Sequence, residues 1–213
     1  MCINMKNNNK FNHEIHHRRS IRLSGYDYSQ KGFYFITICT KNHKHLFGKI
    51  NDGEMILNSA GKHTYNCWLE IPEHFPYVQL HEFVVMPNHI HGIIEFVDET
   101  SEYLPNLASP IKRTNTGSPQ PSPSNTIGSV IRGYKIGITK WFRKNMIEQY
   151  PAKSLVLQRN YWEHIIRTEL EFGKISQYII GNPACWEDDK LNGGRGNEVL
   201  ENQEGYNDEI WMV

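Results

Sequence analysis

The sequence has no run of about 18 apolar residues, which excludes an ordinary membrane-spanning helix. The polar, Asn-rich stretch Met1 to Lys10 lacks the apolar centre of a signal peptide, so a cytoplasmic location is expected. Cysteine is sparse. Cys2, Cys39, Cys67 and Cys185 form no C-x-x-C pair, which speaks against a zinc-thiolate site and suits reduced thiols. Net charge is also lacking, with 23 bases against 23 acids. Taken alone, that balance disfavours a nucleic-acid partner, but the charges are unevenly spread. Residues 187–213 carry eight of the acids and two of the bases, which leaves 21 bases and 15 acids in residues 1–186, a net of +6. A basic body with an acidic tail is compatible with a phosphate-backbone partner, although an ordinary solvated surface looks the same by count.

What is present suffices for one folded domain with appendages: 213 residues, 38% of them hydrophobic. Residues 1–24 read as a basic, flexible arm with Arg18, Arg19 and Arg22. Phe33 to Cys39 is rich in aromatic and β-branched residues and predicts a strand. Asn51-Asp52-Gly53 is a hairpin turn signal within Leu46 to Leu57. Asn58 can cap a helix running to about Glu70. Val78 to Met86 and Ile90 to Val97 read as two strands separated by Pro87-Asn88. Residues 102–124 hold five prolines among Ser, Thr and Asn and read as a flexible loop. From Asn125 or Thr126 to about Met146, apolar residues step by three and four along a basic helix that carries Arg132, Lys135, Lys140 and Arg143. Leu155 to Ile166 reads as a strand with a polar break. Thr168 caps a helix to Gly181 that Asn182-Pro183 ends, and residues 193–213 read as a loose acidic tail. The element order predicts an α+β fold, an antiparallel sheet with helices on one face.

The strongest chemical signal is Met86-Pro-Asn-His89-Ile-His91-Gly92. Residues two apart on a strand share a face, so His89 and His91 project together as half of a metal site, while Ile90 anchors the strand from the other side. Gly92 is expected to leave room beside them. An isolated His-x-His is more often a surface pair, but the apolar flanks here point to a central strand. The second signal is Tyr178-Ile-Ile-Gly-Asn182, a phenol and a carboxamide on one helix face. They could supply a nucleophile and a third metal ligand; the ordinary reading is a packed tyrosine and a helix-ending asparagine. Tyr161 reads as packing; the ordinary reading of His164 is a satisfied structural histidine, with support to the metal ligands as the alternative. Arg159-Asn-Tyr-Trp162 and Lys140-Trp-Phe-Arg143 interleave bases with aromatics, a pattern that can pair phosphates and stack bases.

Residues 18–192 resemble the REP-associated tyrosine transposases, relatives of the small single-strand transposases with one catalytic tyrosine. The resemblance rests on Arg18-Arg-Ser-Ile-Arg-Leu-Ser-Gly-Tyr-Asp-Tyr28, Tyr34-Phe-Ile-Thr-Ile-Cys-Thr40, Leu46-Phe-Gly48, Val84-Val-Met-Pro-Asn-His-Ile-His-Gly92, Gln158-Arg-Asn-Tyr-Trp-Glu-His-Ile-Ile-Arg167 and Tyr178-Ile-Ile-Gly-Asn-Pro183, in the family's order. It implies a ferredoxin-like domain of the His-hydrophobic-His type over residues 25–192. It also implies a metal-dependent endonuclease and strand transferase for single-stranded or hairpin DNA. On that reading Tyr178 is the nucleophile, and His89, His91 and Asn182 hold Mg²⁺ or Mn²⁺. Arg18, Arg19, Arg22, Arg132, Lys135, Lys140, Arg143, Arg159 and Trp162 are the expected DNA contacts. A nucleoid-associated monomer without membrane contact is expected, because the link Arg167-Thr168 is too short to send the tyrosine helix to a partner. A non-catalytic hairpin binder and a metal nuclease that uses water are the alternatives.

Overall fold

The computed structural model describes residues 26–97 and 125–192. The arm, the Pro-rich loop and the acidic tail, with Arg18, Arg19 and Arg22, lie outside the described residues.

The strands are β1 (Gly32–Cys39), β2 (Gly48–Asn51), β3 (Glu54–Leu57), β4 (Val78–Val85), β5 (His89–Phe96) and β6 (Trp162–Ile166). The helices are α1 (Ser59–Leu69), α2 (Ile71–His74), α3 (Ile127–Asn145) and α4 (Glu169–Gly181). Local chemistry accounts for most boundaries. Asp52 and Gly53 both adopt positive φ, 50° and 76°, the geometry of a type I′ turn between β2 and β3. The Asn58 side chain accepts a hydrogen bond from the Gly61 amide and starts α1. Thr126 and Ser129 form a reciprocal capping box at the start of α3. Thr168 caps α4 through the Glu171 amide.

β4, β5, β1 and β6 form one antiparallel sheet in that order. Taken with α1 and α3, this is the strand order of a ferredoxin-like β-α-β-β-α-β unit, as the resemblance implies. Tyr34, Ile36, Ile38, Ile90 and Ile94 face α1 and α3 and pack with Trp68, Val130, Ile131, Tyr134 and Ile138. Each such buried side chain contributes roughly 1.5–3 kcal/mol. The alternate residues of the same strands point the other way. There Phe35, Ile93 and Ile166 meet Ile175 and Ile179 of α4.

The expectation of helices on one face therefore holds for α1 and α3 but not for α4. The reason is that the inner strands are buried throughout their length, so both faces of the sheet need cover. Three further differences are local. Residues 155–160 join the sheet only through a bridge between Leu157 and Thr40 rather than as a strand. Where Asn182-Pro183 ends α4, a 3-10 helix follows that the sequence reading did not include, Asn182–Asp188. Gly92 points away from the histidines: a Cβ there would collide with the Trp68 ring, so the glycine serves core packing and not the site.

Candidate metal centre and tyrosine site

The alternation of β5 carries His89 and His91 to the α4 face together, with ring centroids 4.5 Å apart. Both are almost fully buried, at 0% and 2% exposure. Burial holds both imidazoles neutral: His89 is well below its ordinary value, and His91 is pushed down to about 3. The nearby imidazoles of His91 and His43 lower His89 further. A neutral imidazole is the form that donates a lone pair to a metal.

Hydrogen bonds settle which nitrogen of each ring faces the site. Asn88 is buried, and its amide nitrogen donates to the carbonyls of Leu191 and His43 at 2.6 and 3.3 Å. That orientation leaves the Asn88 carbonyl oxygen to accept from His89 Nδ1–H at 2.8 Å. The lone pair of His89 is thus on Nε2. His91 Nδ1 lies 2.8 Å from the Thr37 hydroxyl and its Nε2 3.2 Å from the Tyr178 hydroxyl. The tautomer with Nδ1–H donating to Thr37, the one a metal-ligating His91 requires, leaves the Nε2 lone pair for the Tyr178 hydroxyl or for a metal.

Tyr178 reaches this point because α4 crosses the sheet, with Ile175 and Ile179 pinned to Phe35 and Ile93. Its ring lies edge-on to Phe35 and to His91, with centroids 6.3 and 5.3 Å away, and 42% of the residue stays exposed. Asn182, one turn later, is buried. The 3-10 helix then returns the chain to the histidines, where Asp189 Oδ2 stands 3.7 Å from His89 Nε2. Asp189 Oδ1 is committed to the Leu191 amide at 2.6 Å, and burial raises this carboxyl above its ordinary value.

Three buried atoms in this cluster have no hydrogen-bond partner: His89 Nε2, Asn182 Oδ1 and Asp189 Oδ2. An orphaned buried acceptor costs roughly 1–3 kcal/mol, so three together mark a site built for something else. Donor atoms of His89, His91 and Asp189 all lie within 4.8 Å of one another. Two neutral nitrogens with carboxylate and amide oxygens suit a divalent cation such as Mn²⁺ or Mg²⁺.

The remaining sequence-stated candidates divide into three groups. Arg132, Lys140, Arg143 and Arg159 line a separate groove of about 730 Å³ between α3 and residues 154–161. Lys135 belongs to that groove but is not a phosphate contact. Its ammonium donates to the carbonyls of Gln158, Arg159 and Asn160 at 3.0, 3.2 and 2.7 Å, which uses all three of its protons. Trp162 is half-buried opposite Thr37, on the histidine face of the edge strand β6. His164 does not support the metal ligands. Its Nε2 pairs with Glu171 at 2.5 Å, and Glu171 also accepts from the Arg167 amide, so the histidine fastens the first turn of α4.

No family model matches the chain. A Haemophilus influenzae protein named only as uncharacterized is 50% identical over 182 residues, which cover 85% of this chain and 97% of that protein. A second protein of that organism, provisionally named a REP-associated tyrosine transposase, is 26% identical over 160 residues, 74% of this chain and 73% of the relative. Among solved structures, a REP-associated tyrosine transposase bound to a REP hairpin matches with a TM-score of 0.51 at 17% identity. The match covers 81% of this chain and 77% of that one, and the likeness is one of fold.

The chain shares the fold of a REP-associated tyrosine transposase and is similar in sequence to a protein provisionally given that name. Sequence reasoning missed Asp189, which it counted among the acids of the tail. It missed Asn88 and Thr37 as well, the groups that orient the two imidazoles. Asn88 stands inside the quoted motif, so its place beside His89 was a usable signal. Asp189 had none, because its approach depends on the 3-10 turn and on no fixed spacing from the histidines.

Proposed function

We propose that this chain nicks and rejoins single-stranded or hairpin DNA, with Tyr178 as nucleophile and a divalent cation held by His89, His91, Asn182 and Asp189. The observation that carries the reading is the convergence of the Tyr178 hydroxyl on His91, beside three orphaned buried donors. Bound there, the cation would withdraw charge from the scissile phosphate. The remaining work falls to the chain. α4 holds the phenol at the edge of the site, exposed enough to meet a strand. Its oxygen forms a bond to phosphorus, the bond from phosphorus to the 3′-oxygen breaks, and the phenolic proton is given up as the 3′-oxygen gains one. The products are a 5′-phosphotyrosine and a free 3′-hydroxyl. The ester keeps the bond energy, so a second 3′-hydroxyl can reverse the step and join strands without ATP.

Arg132, Lys140, Arg143 and Arg159, with Trp162 on the histidine face, are the proposed DNA contacts within the described residues. The domain is read as residues 25–192, with the 1–24 arm as a clamp on the stem. The site is read as monomeric, since the phenol meets a histidine of its own chain.

The deciding experiment incubates the full chain with hairpin oligonucleotides and Mn²⁺, then separates protein under denaturing conditions. A covalent DNA adduct that maps to Tyr178 is expected. Cleavage with no adduct would instead show that water is the nucleophile. Mixing inactive His89→Ala chains with inactive Tyr178→Phe chains should restore nothing, and substantial recovery would replace the monomer by a shared site.

A further inference from the structure

The groove between α3 and residues 154–161 is distinct from the histidine cluster. Arg132, Lys140, Arg143 and Arg159 are exposed along it. Among the described residues, no Asp or Glu lines it. Its apolar floor is formed by Ile136 and Leu155, which are 47% and 45% exposed. The wall of residues 158–160 is fixed in place by Lys135, whose ammonium is caged by its three carbonyls. Beyond that wall, Gln158 Nε2 lies 3.2 Å from His43 Nε2, and His43 stands close enough to His89 and Asp189 to act on both.

We infer that this groove binds an unpaired stretch of DNA, its bases against Ile136 and Leu155 and its phosphates on the four arginine and lysine side chains. Charge alone would suit any polyanion. The exposed apolar floor selects among them, because only an unpaired strand can turn a base face toward it. A paired stem offers phosphates and groove edges instead, and would leave Ile136 and Leu155 in water. That the occupant is DNA rests on the proposed nicking activity; that it is unpaired rests on the groove.

The test uses the full chain and probes that need no knowledge of the recognised hairpin: fluorescent oligo(dT), oligo(rU) and a blunt DNA duplex. Ile136→Glu and Leu155→Glu place a carboxylate on the floor at exposed positions, where folding tolerates it. Each is expected to weaken oligo(dT) binding by about tenfold or more and to leave duplex binding unchanged. Arg143→Ala, also exposed, should weaken oligo(dT) binding and reduce its salt slope by about one. Unchanged oligo(dT) affinity in all three variants, or an equal loss on the duplex, overturns the inference. Tighter binding of oligo(rU) than of oligo(dT) overturns the choice of DNA. Failure of the nicking proposal reads out separately, as absence of a Tyr178 adduct while the floor variants still lose oligo(dT).

Discussion

The histidine cluster and the basic groove solve opposite problems with the same few elements. In the cluster, both imidazoles and Asn182 are buried, and three acceptor atoms are left without hydrogen-bond partners. In the groove, arginine and lysine side chains stand in solvent over exposed apolar carbons. The cluster bears a cost in stability to fix atoms within a few ångströms. The groove costs little and fixes little, which suits a strand that must slide in and leave. Even the two buried nitrogen groups differ: His91 keeps its proton off, while Lys135 is lowered only to about 8 and stays charged near neutral pH on three carbonyls.

The sharpest way to separate the two regions is Tyr178→Phe. Strand cleavage should fall by at least about 10³-fold, with oligonucleotide binding retained, because the ring stays and only the nucleophilic oxygen goes. A gel assay of cleavage beside a binding titration checks both halves. His91→Ala should also remove cleavage, and should weaken Mn²⁺ binding measured by calorimetry by at least about 100-fold, while groove affinity for oligo(dT) holds. Loss of both together would show that the regions are one unit. Asn88→Ala removes no proposed ligand, yet it frees the His89 ring and the Leu191 segment that carries Asp189. A drop of about 10–100-fold in Mn²⁺ affinity is expected, and an unchanged value would remove Asn88 from the site.

Acid should distinguish the regions by stability. The folded values of His89 and His91 lie below the ordinary value of about 6.5, so below that pH the unfolded chain takes up protons that the native chain refuses. Stability is complete above about pH 6.5 and falls as the pH drops toward about 4, by up to about 1.4 kcal/mol per histidine per unit. Asp189, raised by burial, acts in the opposite sense at the low end of that range. Denaturant melts of chelator-treated protein measure this. A flat profile would mean the imidazoles are less buried than described. The smallest effect expected is Gly92→Ala, a loss of about 1–3 kcal/mol from crowding Trp68, seen in the same melts with Mn²⁺ affinity little changed.

How much of this was legible beforehand depends on the range of the interaction. The type I′ turn at Asp52-Gly53, the caps at Asn58, Thr126 and Thr168, and the shared face of His89 and His91 are all fixed within a few residues. They depend on backbone geometry and side-chain period, and the sequence by itself determined them. Tyr178 and Asn182 were paired by helical spacing in the same way. Tertiary structure alone decided what lies between distant segments. α4 went to the second sheet face because β1 and β5 are apolar on both sides. Gly92 turned out to serve Trp68, from a helix more than twenty residues earlier. Lys135 was drawn off to carbonyls near residue 160. Asp189 reached His89 across about a hundred residues of chain, through a turn that no local pattern encodes. The physical reason is common to these cases: burial and hydrogen-bond satisfaction are settled by whatever else arrives in the same space, and a local window of sequence does not contain it.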